Sequence, residues 1–202
     1  MATFLMVCGV IVAGVGAVPY IMAVLRGTAR PRLVSWAVWA VLAAVLAASS
    51  YADGQVASAL LSLQAFVACS TVVVLGWKYG GQVKVGQLDV ICLVGAALGI
   101  LSLVMFKNPQ AALITALAVD AVAFIPTFVH AWTNPDEESM ACYALAAAGA
   151  VLATCASVMA GAAFAGLLYP LYSMVFNGVM VLLLVMGRWS IAQPYNYAND
   201  EA

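Results

Sequence analysis

The chain has 202 residues, 66% of them hydrophobic and 7% charged, with a net charge of −1 and a mean hydropathy of +1.09. A soluble domain carries about 25% charged residues, so this composition belongs to an integral membrane protein, and the near-neutral balance gives no argument for nucleic-acid binding. Cys8, Cys69, Cys92, Cys142 and Cys155 all lie inside apolar runs without metal-ligand spacing and are read as small hydrophobes.

A helix needs about 20 apolar residues to cross the hydrocarbon core. Dividing the chain at charges, glycines and prolines predicts seven spans in an all-α integral membrane fold. The first, 2–25, has no basic residue ahead of it. Its apolar run is also longer than the roughly 7–15 residues of a signal-peptide core, so it is read as a spanning helix. The second and third cover 33–51 and 56–77, and the fourth and shortest covers 88–106. The fifth covers 111–132 and contains one acid, Asp120. The sixth and seventh, 138–160 and 163–187, share one uncharged stretch in which "MAGAAFAG" supplies the predicted turn. A polar tail, 189–202, follows.

Basic residues in short loops set orientation. Seven crossings place Arg26, Arg30, Arg32, Lys78, Lys84 and Arg188 on one side and Lys107 on the other. The expectation is an amino terminus outside and a carboxyl terminus in the cytoplasm, in a bacterial inner membrane. Asp136, Glu137 and Glu138 then also face the cytoplasm. There Asn134 is expected to cap the sixth helix, Pro135 to occupy its first position, and the acids to meet the positive end of its dipole.

Two stretches resemble each other. Pro31, Ser35 and Trp39 in "PRLVSWAVW" match Pro135, Ser139 and Tyr143 in "PDEESMACY", and "ALLSL" from Ala59 matches "GLLYP" from Gly166. Each second helix follows one with an internal proline, Pro19 or Pro126. The expected organisation is a triple-helix unit over 1–79, a linker helix over 80–109 and a second triple-helix unit over 110–188. The fourth helix makes the two units parallel, in a 3-1-3 arrangement with an axis along the membrane normal.

This layout, the proline in the first helix of each triplet and the "SWAVW" opening resemble the PQ-loop and SWEET-like transporter superfamily. "DAVAFIPTFVHAW", "NPDEES", "YAL", "LYP" and "FNG" are similar to a group of small uncharacterised bacterial membrane proteins of that class. The Pro-Gln pair that names the PQ-loop group is absent, since Tyr20 follows Pro19 and Thr127 follows Pro126. The resemblance implies a fold and solute translocation; it does not carry over a substrate.

A carboxylate in mid-span costs on the order of 2.5–3.5 kcal/mol on insertion scales, so Asp120 must face the bundle interior or water. It is the expected proton or cation site, with Thr127 two turns on along nearly the same face; the alternative role is a hydrogen-bonded acid joining helices. Tyr169, Ser173 and Asn177 form a polar stripe on the last helix, and Gln64, Trp39 and Tyr143 are expected to join them around a central cavity. Pro19, Pro126 and Pro170 each remove a helix hydrogen bond and are read as hinges, with static kinks as the alternative. Arg26, Arg30 and Arg32 opposite Asp136, Glu137 and Glu138 suggest a salt-bridged cytoplasmic gate. His130 is a candidate proton relay. Trp36 and Trp39 could stack on a flat solute, the alternative being the interfacial aromatic belt, which is favoured for Trp36; Trp77, Trp132 and Trp189 are read as belt residues.

The last span contains no lysine for a retinal Schiff base, and no His/Glu metal cluster, GxSxG or P-loop occurs. Enzymatic and cofactor-dependent readings therefore lack residues. The expected function is alternating-access transport of a small neutral or cationic solute, proton-coupled through Asp120. The expected partners are the lipid bilayer and that solute, with self-association in the bilayer open. The competing class is a non-transporting receptor, scaffold or assembly protein.

Overall fold

The computed structural model describes residues 1–29, 31–81, 83, 85–105 and 107–192. Arg30, Lys84 and the tail beyond 192 lie outside the described residues, as do the side chains of Pro126 and Glu137. The helices are α1 (Ala2–Leu25), α2 (Leu33–Ala52), α3 (Val56–Tyr79), α4 (Gln87–Val104), α5 (Pro109–Thr133), α6 (Met140–Met159) and α7 (Phe164–Ala192), with a short 3₁₀ turn over Pro135–Glu137. Each predicted span corresponds to one helix. Among the described residues, six helices (α1–α3 and α5–α7) are long and apolar enough to cross a membrane.

Glycine ends several of these helices. Gly27, Gly54, Gly80 and Gly161 have φ of 72°, 74°, 91° and 66°, the left-handed conformation that a Cβ disfavours. At the α2–α3 turn, Asp53, Gly54 and Gln55 donate backbone hydrogen bonds to Ser49, Tyr51 and Ser50. Ala160, Gly161 and Ala162 repeat that pattern onto Ala156, Val158 and Ser157 between α6 and α7. The stretch "MAGAAFAG" thus turns, at Gly161.

The start of α6 differs from the expectation. Its N-cap is Ser139, whose side chain accepts from Cys142 N at 3.4 Å. Asn134 instead ends α5, and its side-chain amide lies against Thr133 Oγ1 and His130 Nδ1. Pro135 opens the separate 3₁₀ turn rather than α6. Consequently α2 and α6, each of 20 residues, align Leu33 with Met140 and Ala52 with Met159.

At the same end of the bundle α7 runs on to Ala192, so Arg188 lies inside the helix rather than after it, and Trp189 is helical rather than part of the tail. Arg188 stays within the helix because it has partners there: Nη2 donates to Pro135 O at 3.2 Å and Glu138 O at 3.5 Å.

The packing is regular. α3 lies between α1 and α2, and α7 lies between α5 and α6; α1 also packs along α6, and α2 along α5. Among the described residues the backbones of α1 and α2 do not pack together, nor do those of α5 and α6. α4 packs on α5 and α2. The α1–α6 seam is built on small residues: a Cβ on Gly149 would sit 2.5 Å from Gly9 O, and one on Gly16 would sit 2.9 Å from Leu145 Cβ. Close backbone approach through small residues is how helices associate where lipid supplies no hydrophobic drive.

The bundle turns apolar side chains outward. Val7, Ile11, Val15, Val18 and Met22 form an exposed stripe along α1, and similar residues line the outer faces of the other helices. In water such a surface is an aggregation liability; in a bilayer it is the lipid contact. Trp77, Trp132 and Trp189 are exposed near helix ends, as an interfacial aromatic belt requires. The chain is therefore an integral membrane protein.

Candidate functional site

α1, α2, α3, α5, α6 and α7 together enclose a cavity of about 160 Å³. It extends from Ala13, Leu46, Leu61 and Asp120 in mid-bundle to Trp36, Cys142 and Tyr143 in the first turns of α2 and α6. Of the residues predicted from sequence to form the site, Asp120, Tyr169, Ser173, Asn177, Gln64, Trp39 and Tyr143 all line it.

Asp120 is held by a residue of the neighbouring helix α7. Tyr172 Oη on α7 donates to Asp120 Oδ2 at 2.7 Å, a length typical of a charge-assisted O–H···O bond. This answers how an acid is tolerated on a spanning helix: it faces inward and has a hydroxyl donor. Sequence reading missed Tyr172 because it followed the i, i+4, i+8 spacing from Tyr169. The i+3 neighbour falls on the same arc of a helix, and that spacing was the signal available.

The polar stripe on α7 is partly spent on itself. Asn177 Nδ2 donates to Ser173 O at 2.8 Å and lies 3.2 Å from Ser173 Oγ. Tyr143 Oη donates to Glu138 Oε2 at 2.9 Å, so this ring belongs both to the cavity and to the loop below it. Gln64 approaches α1 at Gly14, where a Cβ would lie 3.6 Å from its Cγ.

Much of the wall is aromatic. Tyr20 and Trp36 have ring centroids 4.7 Å apart, Trp36 and Trp39 5.4 Å, and Trp39 and Phe124 5.5 Å. The chain of contacts continues through Phe124, Phe128 and Phe176 to Tyr172, which stacks on Phe176 at 4.2 Å. Trp36 is therefore a cavity residue, not a belt residue. Its position in the first turn of α2 suggested an interface, but Tyr20 on α1 draws it inward. Trp39 Nε1 is buried without a hydrogen-bond partner.

Thr127 does not line the cavity. It shares a face with Asp120 but lies two turns further along, beyond the level of Phe124, the last residue α5 contributes. His130 is ten residues from Asp120, about 15 Å along the axis at ~1.5 Å per residue, too far for direct proton transfer. Pro19 is exposed and Pro170 fully buried, and both α1 and α7 continue through them as unbroken helix. The backbone of α5 is likewise helical at position 126; the Pro126 side chain lies outside the described residues.

Of the expected gate residues, Asp136 pairs with Arg188, with Nε to Oδ1 at 3.4 Å. That partner is on α7, not on the α1–α2 loop. Arg26 and Arg32 are exposed, Glu138 receives the Tyr143 hydroxyl, and Arg30 and the Glu137 side chain lie outside the described residues.

A second cavity, of about 450 Å³, lies at the opposite end of the bundle between the start of α1 and the two glycine turns. Thr3, Gln55, Ser58 and Ser157 line it. Buried serines adjoin it: Ser50 and Ser58 hydroxyls lie 3.0 Å apart, and Ser62 Oγ donates to Ser58 O at 2.8 Å.

No family model, curated protein or solved structure matches the chain.

Proposed function

We propose that this protein is an alternating-access transporter of a small solute, neutral or cationic, with proton coupling through Asp120. The observation that carries the reading is the position of Asp120: it lies on the wall of a cavity enclosed by all six long helices, with Tyr172 bound to one carboxylate oxygen. Intramembrane acids facing an interior cavity mark ion and substrate pathways. A second cavity at the opposite end, beyond the buried serines Ser50, Ser58 and Ser62 and the packed apolar residues Leu42, Ala150 and Ala153, supports a path with two alternately opened ends.

The architecture proposed with it is seven crossings in a 3-1-3 order, with α4 as the linking span and α5–α7 repeating α1–α3. Its support is the helix packing, which is unchanged when α1, α2 and α3 are exchanged for α5, α6 and α7, and the matching turns at Gly54 and Gly161. It agrees with the resemblance to PQ-loop and SWEET-like transporters. The amino terminus is outside and the carboxyl terminus cytoplasmic, in a bacterial inner membrane, so the first cavity faces the cytoplasm.

Thiol labelling tests the alternating path. Cys69 and Cys142 line the first cavity. With Cys8, Cys92 and Cys155 replaced by alanine, a membrane-impermeant maleimide should reach these two thiols from either side of oriented vesicles. A receptor or scaffold with a fixed centre predicts labelling from one side only, or from neither.

A further inference from the structure

The cavity's wall chemistry narrows the class of solute, an inference that rests on the transport reading for its biological sense but not for its binding test. Three observations bear on it. Asp120 is the one acid on the wall, and no lysine, arginine or histidine lines it among the described residues. The rest of the wall is mainly aromatic rings and small apolar side chains, with Trp36, Trp39 and Phe124 in continuous contact. Several of the neutral polar groups are engaged, Asn177 with Ser173, Tyr172 with Asp120 and Tyr143 with Glu138, and the surface that the wall exposes is mainly apolar.

Each solute class meets this wall differently. A polyol has to exchange many water hydrogen bonds for protein ones, and each buried group left without a partner costs about 1–3 kcal/mol; a wall that is mainly apolar leaves many of them unmet. A carboxylate or a zwitterionic amino acid brings an anionic group that no basic wall residue receives. An organic cation meets one carboxylate and several ring faces, the combination that recognises quaternary and primary ammonium groups. Size agrees: about 160 Å³ is close to the roughly 150 Å³ void that accepts benzene and below the ~300 Å³ lower limit of drug-sized sites.

We infer that the cavity binds a small organic monocation lacking a carboxylate, with its ammonium group at Asp120 and its apolar part against Trp36, Trp39 and Phe124. Binding is read on the purified full-length protein in detergent, by thermal shift and by tryptophan fluorescence, so no transport step is involved. The cationic probes are choline and benzylamine. Their neutral counterparts are 3,3-dimethylbutan-1-ol, in which carbon replaces the ammonium nitrogen, and benzyl alcohol; glycine betaine is the zwitterion.

The expected result is that at least one cation binds ~tenfold or more tightly than its neutral counterpart, as a desolvated cation–π and ion-pair site requires, and more tightly than betaine. Asp120→Asn should abolish that preference, and Trp39→Leu should weaken cation binding while the protein stays folded. Equal binding of cation and alcohol, tighter binding of betaine, or no binding of either cation to the wild-type protein would overturn the assignment, and none of these outcomes depends on a variant folding. A cation that binds with this selectivity but reaches the cavity from one side only would leave the site assigned and retire the transport reading instead.

Discussion

Tyr172 Oη donates to Asp120 Oδ2 at 2.7 Å, joining α7 to α5 across the cavity wall. The same ring stacks on Phe176 with centroids 4.2 Å apart, so the hydroxyl can be removed without removing the packing. Tyr172→Phe is therefore expected to lower stability by roughly 0.6–1.7 kcal/mol, the range for hydrogen bonds between membrane helices. Asp120→Asn and Tyr172→Phe should be non-additive, because they share one bond. Unfolding of the two single variants and the double variant checks this.

The α1–α6 seam gives a steric prediction. A Cβ on Gly149 would lie 2.5 Å from Gly9 O and 2.8 Å from Ala13 N, and both contacts are backbone. Gly149→Ala must separate two helices and is expected to cost about 1–3 kcal/mol, as overpacking does. Gly178 on α7 has nothing within 4 Å of the corresponding position, so Gly178→Ala should be neutral or slightly stabilising. Melting temperatures of the two variants should move apart; equal shifts would contradict the close seam.

Arg188 and Asp136 should behave unequally although they form one ion pair. The Asp136 side chain is 83% exposed, and exposed pairs contribute about 0–1 kcal/mol; Asp136→Ala should change little. Arg188 also donates to the carbonyls of Pro135 and Glu138, so Arg188→Ala frees the turn ahead of α6 and should destabilise more. Salt should weaken the Asp136 contribution and leave most of the Arg188 effect, which thermal melts at two ionic strengths will separate.

The sign of a pH effect follows from the shared carboxylate. A proton and an organic cation compete for Asp120, so cation affinity should fall as pH is lowered through the range in which Asp120 protonates. Asp120→Asn should bind weakly and independently of pH. Titrating choline against the wild-type protein and the variant at several pH values checks both statements.

The helices were legible because lipid imposes a simple rule: every span is a long apolar run with at most one or two charges, and most charges lie between the runs. Asp120 stood out by the same rule, since one acid in an apolar helix must find an interior partner. Helix starts were less legible. Asn134 and Ser139 are both good caps, and only the 3₁₀ turn at Pro135–Glu137 decides that Ser139 begins α6. The partner of Asp120 was hidden because it depends on which face of α7 meets α5, a tertiary fact that a stripe on one helix does not contain. Of the two roles open to Trp36, the less favoured one holds, for a related reason. Its sequence position near a helix end favoured the interface, whereas the ring contact with Tyr20 turns it into the cavity.

Uptake by protein reconstituted in liposomes tests the central claim most directly, with labelled choline or benzylamine, whichever binds the purified protein. The wild-type protein should show saturable, pH-dependent uptake, and Asp120→Asn, verified as folded by its melting curve, should show none. Equal uptake by wild-type and Asp120→Asn protein, or no uptake by wild-type protein of a cation that it binds, would contradict a carrier working through this carboxylate.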